Sequence, residues 1–162
     1  MILYYREGGI AMELKEGMKA PAFSLADAHG KSYKLADYAG KTVVLYFYPK
    51  DDTPGCTTEA CEFRDRKEEA AKKGVVVLGV SPDDAGSHTK FASKYSLNFP
   101  LLIDMGHALA DKYGVWGKKK FMGKEFEGIN RSTFVIGPDG KIKRAMYGVN
   151  PLGHAADVLG KI

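Results

Sequence analysis

Thr42-Val43-Val44-Leu45-Tyr46-Phe47-Tyr48-Pro49-Lys50-Asp51-Asp52-Thr53-Pro54-Gly55-Cys56-Thr57-Thr58-Glu59-Ala60-Cys61 passes from an apolar strand to the start of a helix. Residues 42–48 show no polar alternation, which marks a strand covered on both faces. Thr53 suits an N-cap and Pro54 the first helical position. Gly55 and Cys56 then fall in the first turn. There the unpaired backbone N–H groups and the positive end of the helix dipole favour an anion. A thiol so placed sits in a nucleophile's environment made by the backbone alone. The same N–H groups can also stabilise negative charge that develops during a reaction.

Outward from this stretch, residues 17–25 read as extended, Asp27-Ala28-His29-Gly30-Lys31 as a turn, and 32–35 as a short strand closing an N-terminal β-hairpin. Residues 57–73 read as one long helix, closed by the basic Lys72-Lys73 and a terminal Gly74. A strand at 75–80, a helix at 84–95, a short strand at 101–103 and a short helix at 108–113 follow. Residues 132–136 and 141–147 pair about the turn Pro138-Asp139-Gly140, and a last helix spans 151–159. This order predicts an α/β chain with a central mixed β-sheet flanked by helices. It is the thioredoxin-like arrangement, although the pattern alone also fits other α/β sandwiches.

The 162 residues suit one domain, with 44% hydrophobic and 27% charged residues. No apolar run approaches the roughly 20 residues that span a bilayer, so no membrane segment is expected. The net charge of +4 is mild, and the one dense basic run, Lys118-Lys119-Lys120, reads as a solvated loop. Nucleic acid is therefore not an expected partner. Residues 1–11 lack a secretory apolar stretch and precede a second methionine, Met12. They read as an accessory extension before a single domain at 12–162, and the location is read as cytoplasmic. In a reducing compartment a close cysteine pair serves metal or redox chemistry more often than stapling.

Cys61 lies five residues beyond Cys56. In an intact helix that spacing gives about 140° of rotation and roughly 7.5 Å of rise, so the Cα atoms stand about 8–9 Å apart. A disulfide does not normally bridge that gap, so bonding requires the first turns to unwind. Two bland readings compete. The cysteines can be small buried hydrophobes, or part of a zinc site. The latter lacks ligands, since the next histidine is His88 and no further Cys or His stands at metal spacing.

The segment Pro49-x-x-x-Thr53-x-x-Cys56 resembles the pattern of the peroxiredoxins. With a second cysteine at Cys61 it is similar to the bacterioferritin comigratory protein (PrxQ) subfamily. The resemblance covers nearly all of residues 12–162, including Gly17-x-x-Ala20-Pro21-x-Phe23 and Arg131-Ser132-Thr133-Phe134-Val135-Ile136. It implies a thioredoxin-like fold and a thiol-dependent peroxidase needing no metal, haem or flavin. Its substrates would be hydrogen peroxide and small organic hydroperoxides.

Carried over by position, the resemblance makes Cys56 the peroxidatic nucleophile, oxidised to a sulfenic acid. Cys61 becomes the resolving cysteine, and a thioredoxin-type dithiol protein the reductant. Thr53 would bind the peroxide, Pro49 would shield the sulfur, and Arg131 would stabilise the thiolate and orient the peroxide. Thr53 equally fits a plain helix cap, and Arg131 a surface charge. Glu59 either holds the arginine in place or is an exposed helix glutamate. The chain ends at Ile162 without the Tyr-Phe extension of the overoxidation-sensitive branch and without a cysteine there. Resolution within one chain, a monomer and resistance to sulfinic acid formation are therefore expected. The rival readings are a thiol-disulfide oxidoreductase or a redox-sensing interaction module on the same fold.

Overall fold

The computed structural model describes residues 3–5 and 13–162. Its strands and helices, in chain order, are β1 (Leu3–Tyr5), β2 (Ser24–Ala26), β3 (Ser32–Lys34), β4 (Thr42–Phe47), α1 (Pro54–Asp65), α2 (Lys67–Lys72), β5 (Val75–Ser81), α3 (Ala85–Tyr95), β6 (Leu101–Ile103), α4 (Ala108–Lys112), β7 (Trp116–Phe121), β8 (Lys124–Ile129), β9 (Ser132–Ile136), β10 (Ile142–Tyr147) and α5 (His154–Gly160). The reading of residues 1–11 as an extension lies outside the described residues except at β1.

Five strands form the central sheet in the order β10-β9-β4-β5-β6. β4 pairs parallel with β5 and antiparallel with β9, so the sheet is mixed. Every residue of β4 is buried, as its uninterrupted apolar run requires. Its side chains alternate between two cores. Val43, Leu45 and Phe47 face Leu109, Ala110 and Tyr113 around α4. Val44, Tyr46 and Tyr48 face Ala60 and Phe63 of α1, Ala70 of α2, Phe91 of α3 and Val158 of α5. Helices thus cover both faces, and β2 and β3 form the expected N-terminal hairpin. Among the described residues no helix is long and apolar enough to cross a membrane.

Two expectations fail. The long helix read at 57–73 is broken at Arg66, whose φ of −107° and ψ of 15° leave the helical register. There the Arg64 carbonyl accepts from Asn98 Nδ2 at 3.2 Å, while Arg64 and Lys67 donate to the carbonyls of Tyr95 and Asn98. These contacts fasten the break to the loop after α3. The basic run read as a solvated loop is instead strand β7, paired with β8 and β1. Register sets Lys118 opposite Glu127 and Lys120 opposite Glu125, which offsets the charge. Lys119 alternates to the inner side and is buried.

Candidate active site

The β4–α1 junction delivers Cys56 to the third position of α1, at the C-terminal end of β4. The first helical hydrogen bond runs from Thr57 N–H to the Thr53 carbonyl at 2.8 Å. Cys56 is 1% exposed and packs among Tyr46, Tyr48 and Ala60. Cys61 lies half-buried further along the same unbroken helix, and both cysteines are free thiols.

Arg131 arrives immediately before β9. Its Nη2 donates to Cys56 Sγ at 3.2 Å and its Nη1 donates to Glu59 Oε1 at 2.8 Å. The surface-charge reading of Arg131 and the exposed reading of Glu59 are therefore both set aside. Burial works against charge on Arg131, but Glu59 and Cys56 outweigh it and hold the guanidinium protonated more firmly than usual. The close approach depends on Gly55. A Cβ at that position would stand 3.1 Å from Arg131 Nη2 and 3.3 Å from Pro151 Cγ.

Glu59 is fully buried, and its Oε2 has no hydrogen-bond partner. Burial pushes its carboxyl up to about 7, against the charge and hydrogen bond of Arg131. Thr53 occupies the N-cap position, but its side chain makes no capping bond. Its hydroxyl donates to the Lys50 carbonyl at 2.8 Å instead. That contact ties up the proton and leaves the oxygen as an acceptor. Pro49 is half-buried at the start of the same loop.

Sequence reasoning missed two features near this centre. Lys119 on β7 is 6% exposed, and its ionisation is lowered to about 8 by burial and by Arg131, while Cys56 opposes the shift. Asp51, within the 49–53 loop, is buried against His88 of α3. Two acids in succession ahead of an anion site were a usable signal, since buried charge needs partners. His88, three residues before the core residue Phe91 on one helix face, was a second such signal. Asp51, Asp83 and His88 place ligand-type atoms within 4.8 Å of one another. Both ring nitrogens of His88 are nevertheless already engaged, by Asp51 and by the Leu102 carbonyl.

Beyond this geometry, the sequence and the fold of the chain match known proteins. Residues 17–145 match the AhpC/TSA family model. Peroxiredoxin Bcp of Bacillus subtilis (strain 168) is 49% identical over 148 residues, covering 91% of this chain and 94% of its own length. Peroxiredoxin Bcp of Escherichia coli (strain K12) is 47% identical over 146 residues, covering 90% and 94%. Among solved structures, a serine mutant of Xylella fastidiosa PrxQ superposes with a TM-score of 0.87 at 36% identity, covering 93% of this chain and 96% of that one. Xanthomonas campestris bacterioferritin comigratory protein, studied for its alkyl peroxide reduction, superposes at 0.84 with 38% identity, covering 91% and 96%. These neighbours carry the thioredoxin-like fold that the mixed sheet implied. The chain therefore belongs to the AhpC/TSA family and is a peroxiredoxin, a thiol-dependent peroxidase.

Proposed function

We propose that Cys56 is the peroxidatic nucleophile and that the enzyme reduces hydrogen peroxide and small organic hydroperoxides. The observation that carries this reading is the Arg131 guanidinium, which donates to Cys56 Sγ at 3.2 Å while Glu59 holds its other terminal nitrogen. The Cys56 thiolate attacks the terminal oxygen of the hydroperoxide. An S–O bond forms, the O–O bond breaks, and the electron pair leaves on the remaining oxygen. That oxygen takes a proton to depart as water or an alcohol, and the sulfur is left as a sulfenic acid. Arg131 orients the peroxide and offsets charge on the leaving oxygen. Thr53 accepts the hydroperoxide O–H, and Pro49 shields the sulfur from bulk water.

Cys61 then attacks the sulfenic sulfur. The S–S bond forms, and hydroxide leaves and is protonated to water. Both cysteines lie in α1, so its first turns unwind before this bond closes. A thioredoxin-type dithiol returns two electrons and is itself left as a disulfide. On this reading residues 12–162 are the catalytic domain and 1–11 an accessory extension. The enzyme works as a cytoplasmic monomer, needs no cofactor and resists conversion of Cys56 to sulfinic acid.

The test is the intact mass after one equivalent of hydrogen peroxide, for wild type, Cys56→Ser and Cys61→Ser. Wild type is expected to lose two hydrogens as an intramolecular disulfide, and Cys61→Ser to hold a trappable sulfenic acid on Cys56. A Cys56 that stays a thiol, or a Cys61 oxidised first, overturns the assignment. Early sulfinate in wild type overturns the predicted resistance. Adding thioredoxin and its reductase then tests closure of the cycle.

A further inference from the structure

Between Pro49 and Thr53 the chain passes through Asp51 and Asp52. Asp52 sits in the left-handed region at φ 57°, a conformation that a non-glycine residue keeps only when its surroundings enforce it. Lys94 and Tyr95 of α3 donate to the Asp52 carboxylate at the surface. The buried anchor is Asp51, whose side chain is 2% exposed. Its Oδ1 accepts from the Tyr48 hydroxyl at 2.6 Å and its Oδ2 from the Ser87 hydroxyl at 2.8 Å. Its backbone N–H donates to Asp83 Oδ2 at 2.8 Å, an oxygen that also accepts from Ser81.

The remaining partner of Asp51 is His88, itself 1% exposed. Nε2 of His88 lies 2.9 Å from the Leu102 carbonyl oxygen, and Nδ1 lies 2.6 Å from Asp51 Oδ2. A carbonyl oxygen only accepts, so Nε2 carries a hydrogen. A neutral ring would then turn a bare Nδ1 toward a carboxylate, setting two acceptors 2.6 Å apart. The contact therefore holds a proton between Nδ1 and Oδ2, and because hydroxyls already donate to both Asp51 oxygens it is assigned to Nδ1, which makes the ring an imidazolium. Burial opposes that charge, yet the hydrogen bond and charge of Asp51, the Leu102 carbonyl and the charge of Asp83 keep the proton on above the ordinary histidine range. Three elements, namely the 49–53 loop, α3 and β6, meet at this one ring.

We propose that His88 is a positioning residue for peroxide reduction: as a buried hydrogen-bond donor it pins Asp51, and through Asp51 it fixes the loop whose Pro49 and Thr53 frame the Cys56 thiol. The inference rests on the reading of Cys56 as the peroxide-reactive thiol. His88 touches neither sulfur nor peroxide. Its effect is on where the Thr53 oxygen, two residues past Asp51, stands relative to Cys56. A misplacement of about 1 Å in such a group costs on the order of 100-fold in rate.

Two neutral variants separate positioning from bulk stability. Asparagine places its amide nitrogen near the Nδ1 position, and glutamine reaches toward Nε2. His88→Asn thus keeps a donor for Asp51 and loses the Leu102 contact, whereas His88→Gln does the reverse. Stopped-flow kinetics would give the second-order rate constant of Cys56 with hydrogen peroxide and, separately, the rate of the following disulfide step. Urea unfolding would give the stability of each variant. The expected result is a loss of about tenfold or more in the peroxide step for His88→Gln, recovery of most of it in His88→Asn, and little change in the disulfide step. A wild-type rate in His88→Gln overturns the proposal. So does a fall in both variants that tracks lost stability. In the wild type, ¹⁵N shifts of the ring are expected to show both nitrogens protonated at pH 6.5, where an ordinary histidine is half deprotonated, and a bare nitrogen would refute the proton count. Failure of wild-type Cys56 to react with peroxide is a separate result, which removes the site reading and this inference with it.

Discussion

Replacing Glu59 by glutamine isolates the electrostatics of the site in a single measurement. The Glu59 carboxyl is wholly buried, with one oxygen on Arg131 and the other unpartnered. Burial carries it from an ordinary 4.5 to about 7; Arg131 pulls downward and Glu62 adds to the rise. Below pH 4.5 the group is protonated in both folded and unfolded chains, and its contribution to stability is complete. Between 4.5 and about 7 the unfolded chain gives up the proton while the folded protein keeps it, so stability falls as pH rises. Above about 7 the contribution is gone. The displacement corresponds to about 3 kcal/mol. Glutamine keeps an oxygen for Arg131 and has no proton to lose. Urea unfolding of wild type and Glu59→Gln, both kept reduced, from pH 4.5 to 8 gives the difference in which other groups cancel. That difference is expected to fall by about 3 kcal/mol up to pH 7 and then level off. A flat difference, or one that rises with pH, would refute the reasoning.

Three further outcomes are expected. Gly55→Ala brings a methyl to 3.1 Å from Arg131 Nη2; stopped-flow kinetics should show the Cys56–peroxide step slowed about three- to tenfold, while urea stability moves by less than about 1 kcal/mol. His154 is buried with Nε2 at 2.7 Å from Thr133 Oγ1, and burial lowers its protonation to about 4. Its contribution is therefore present above pH 6.5 and lost as pH falls toward 4, by about 3 kcal/mol, and His154→Gln should abolish that slope in acid unfolding curves. Because this slope opposes that of Glu59, the sum of the two differences is expected to be flatter than either alone. Burial of Lys119 as a cation is costly, so Lys119→Met should raise stability at pH 7 by about 1–2 kcal/mol in urea unfolding.

The central sheet was legible because strands buried on both faces carry their assignment in unbroken apolar runs, as at 42–48 and 75–80. The β7–β8 hairpin was not. Its turn, Met122-Gly123, holds both residues at positive φ, 51° and 79°, a geometry that usually announces itself as Asn-Gly or Asp-Gly. Three consecutive lysines also hid the alternation that buries only Lys119. The break at Arg66 is set by the loop after α3, which lies about thirty residues downstream and leaves no mark on the local helical pattern. At the site, the placement of Cys56 in the first turn of α1 followed from local helix-start signals, and its role from the resemblance. Arg131, 75 residues away, entered only through the resemblance, because no local periodicity reports which charge crosses a fold to meet a thiol. Thr53 was read as a cap or, through the resemblance, as a peroxide-binding hydroxyl; its hydroxyl donates to the Lys50 carbonyl and caps nothing. The Asp51–His88 pair shows the same limit: two polar residues 37 apart explain each other only in three dimensions.

Helix α1 is a mechanical junction as well as a scaffold. Within twelve residues it holds Cys56, sets Glu59 on Arg131, lends the Glu62 carboxylate to the Gly153 N–H ahead of α5 at 3.0 Å, and ends with Arg64 reaching the Tyr95 carbonyl at 2.6 Å. A bond between Cys56 and Cys61 consumes the turns that keep the first of these tethers in register and pulls directly on the next. On that proposed chemistry the oxidation state of two atoms would be stored as a difference in shape that reaches α5 through the Glu62–Gly153 contact. On the proposed cycle the reductant would meet a surface that the peroxide never does.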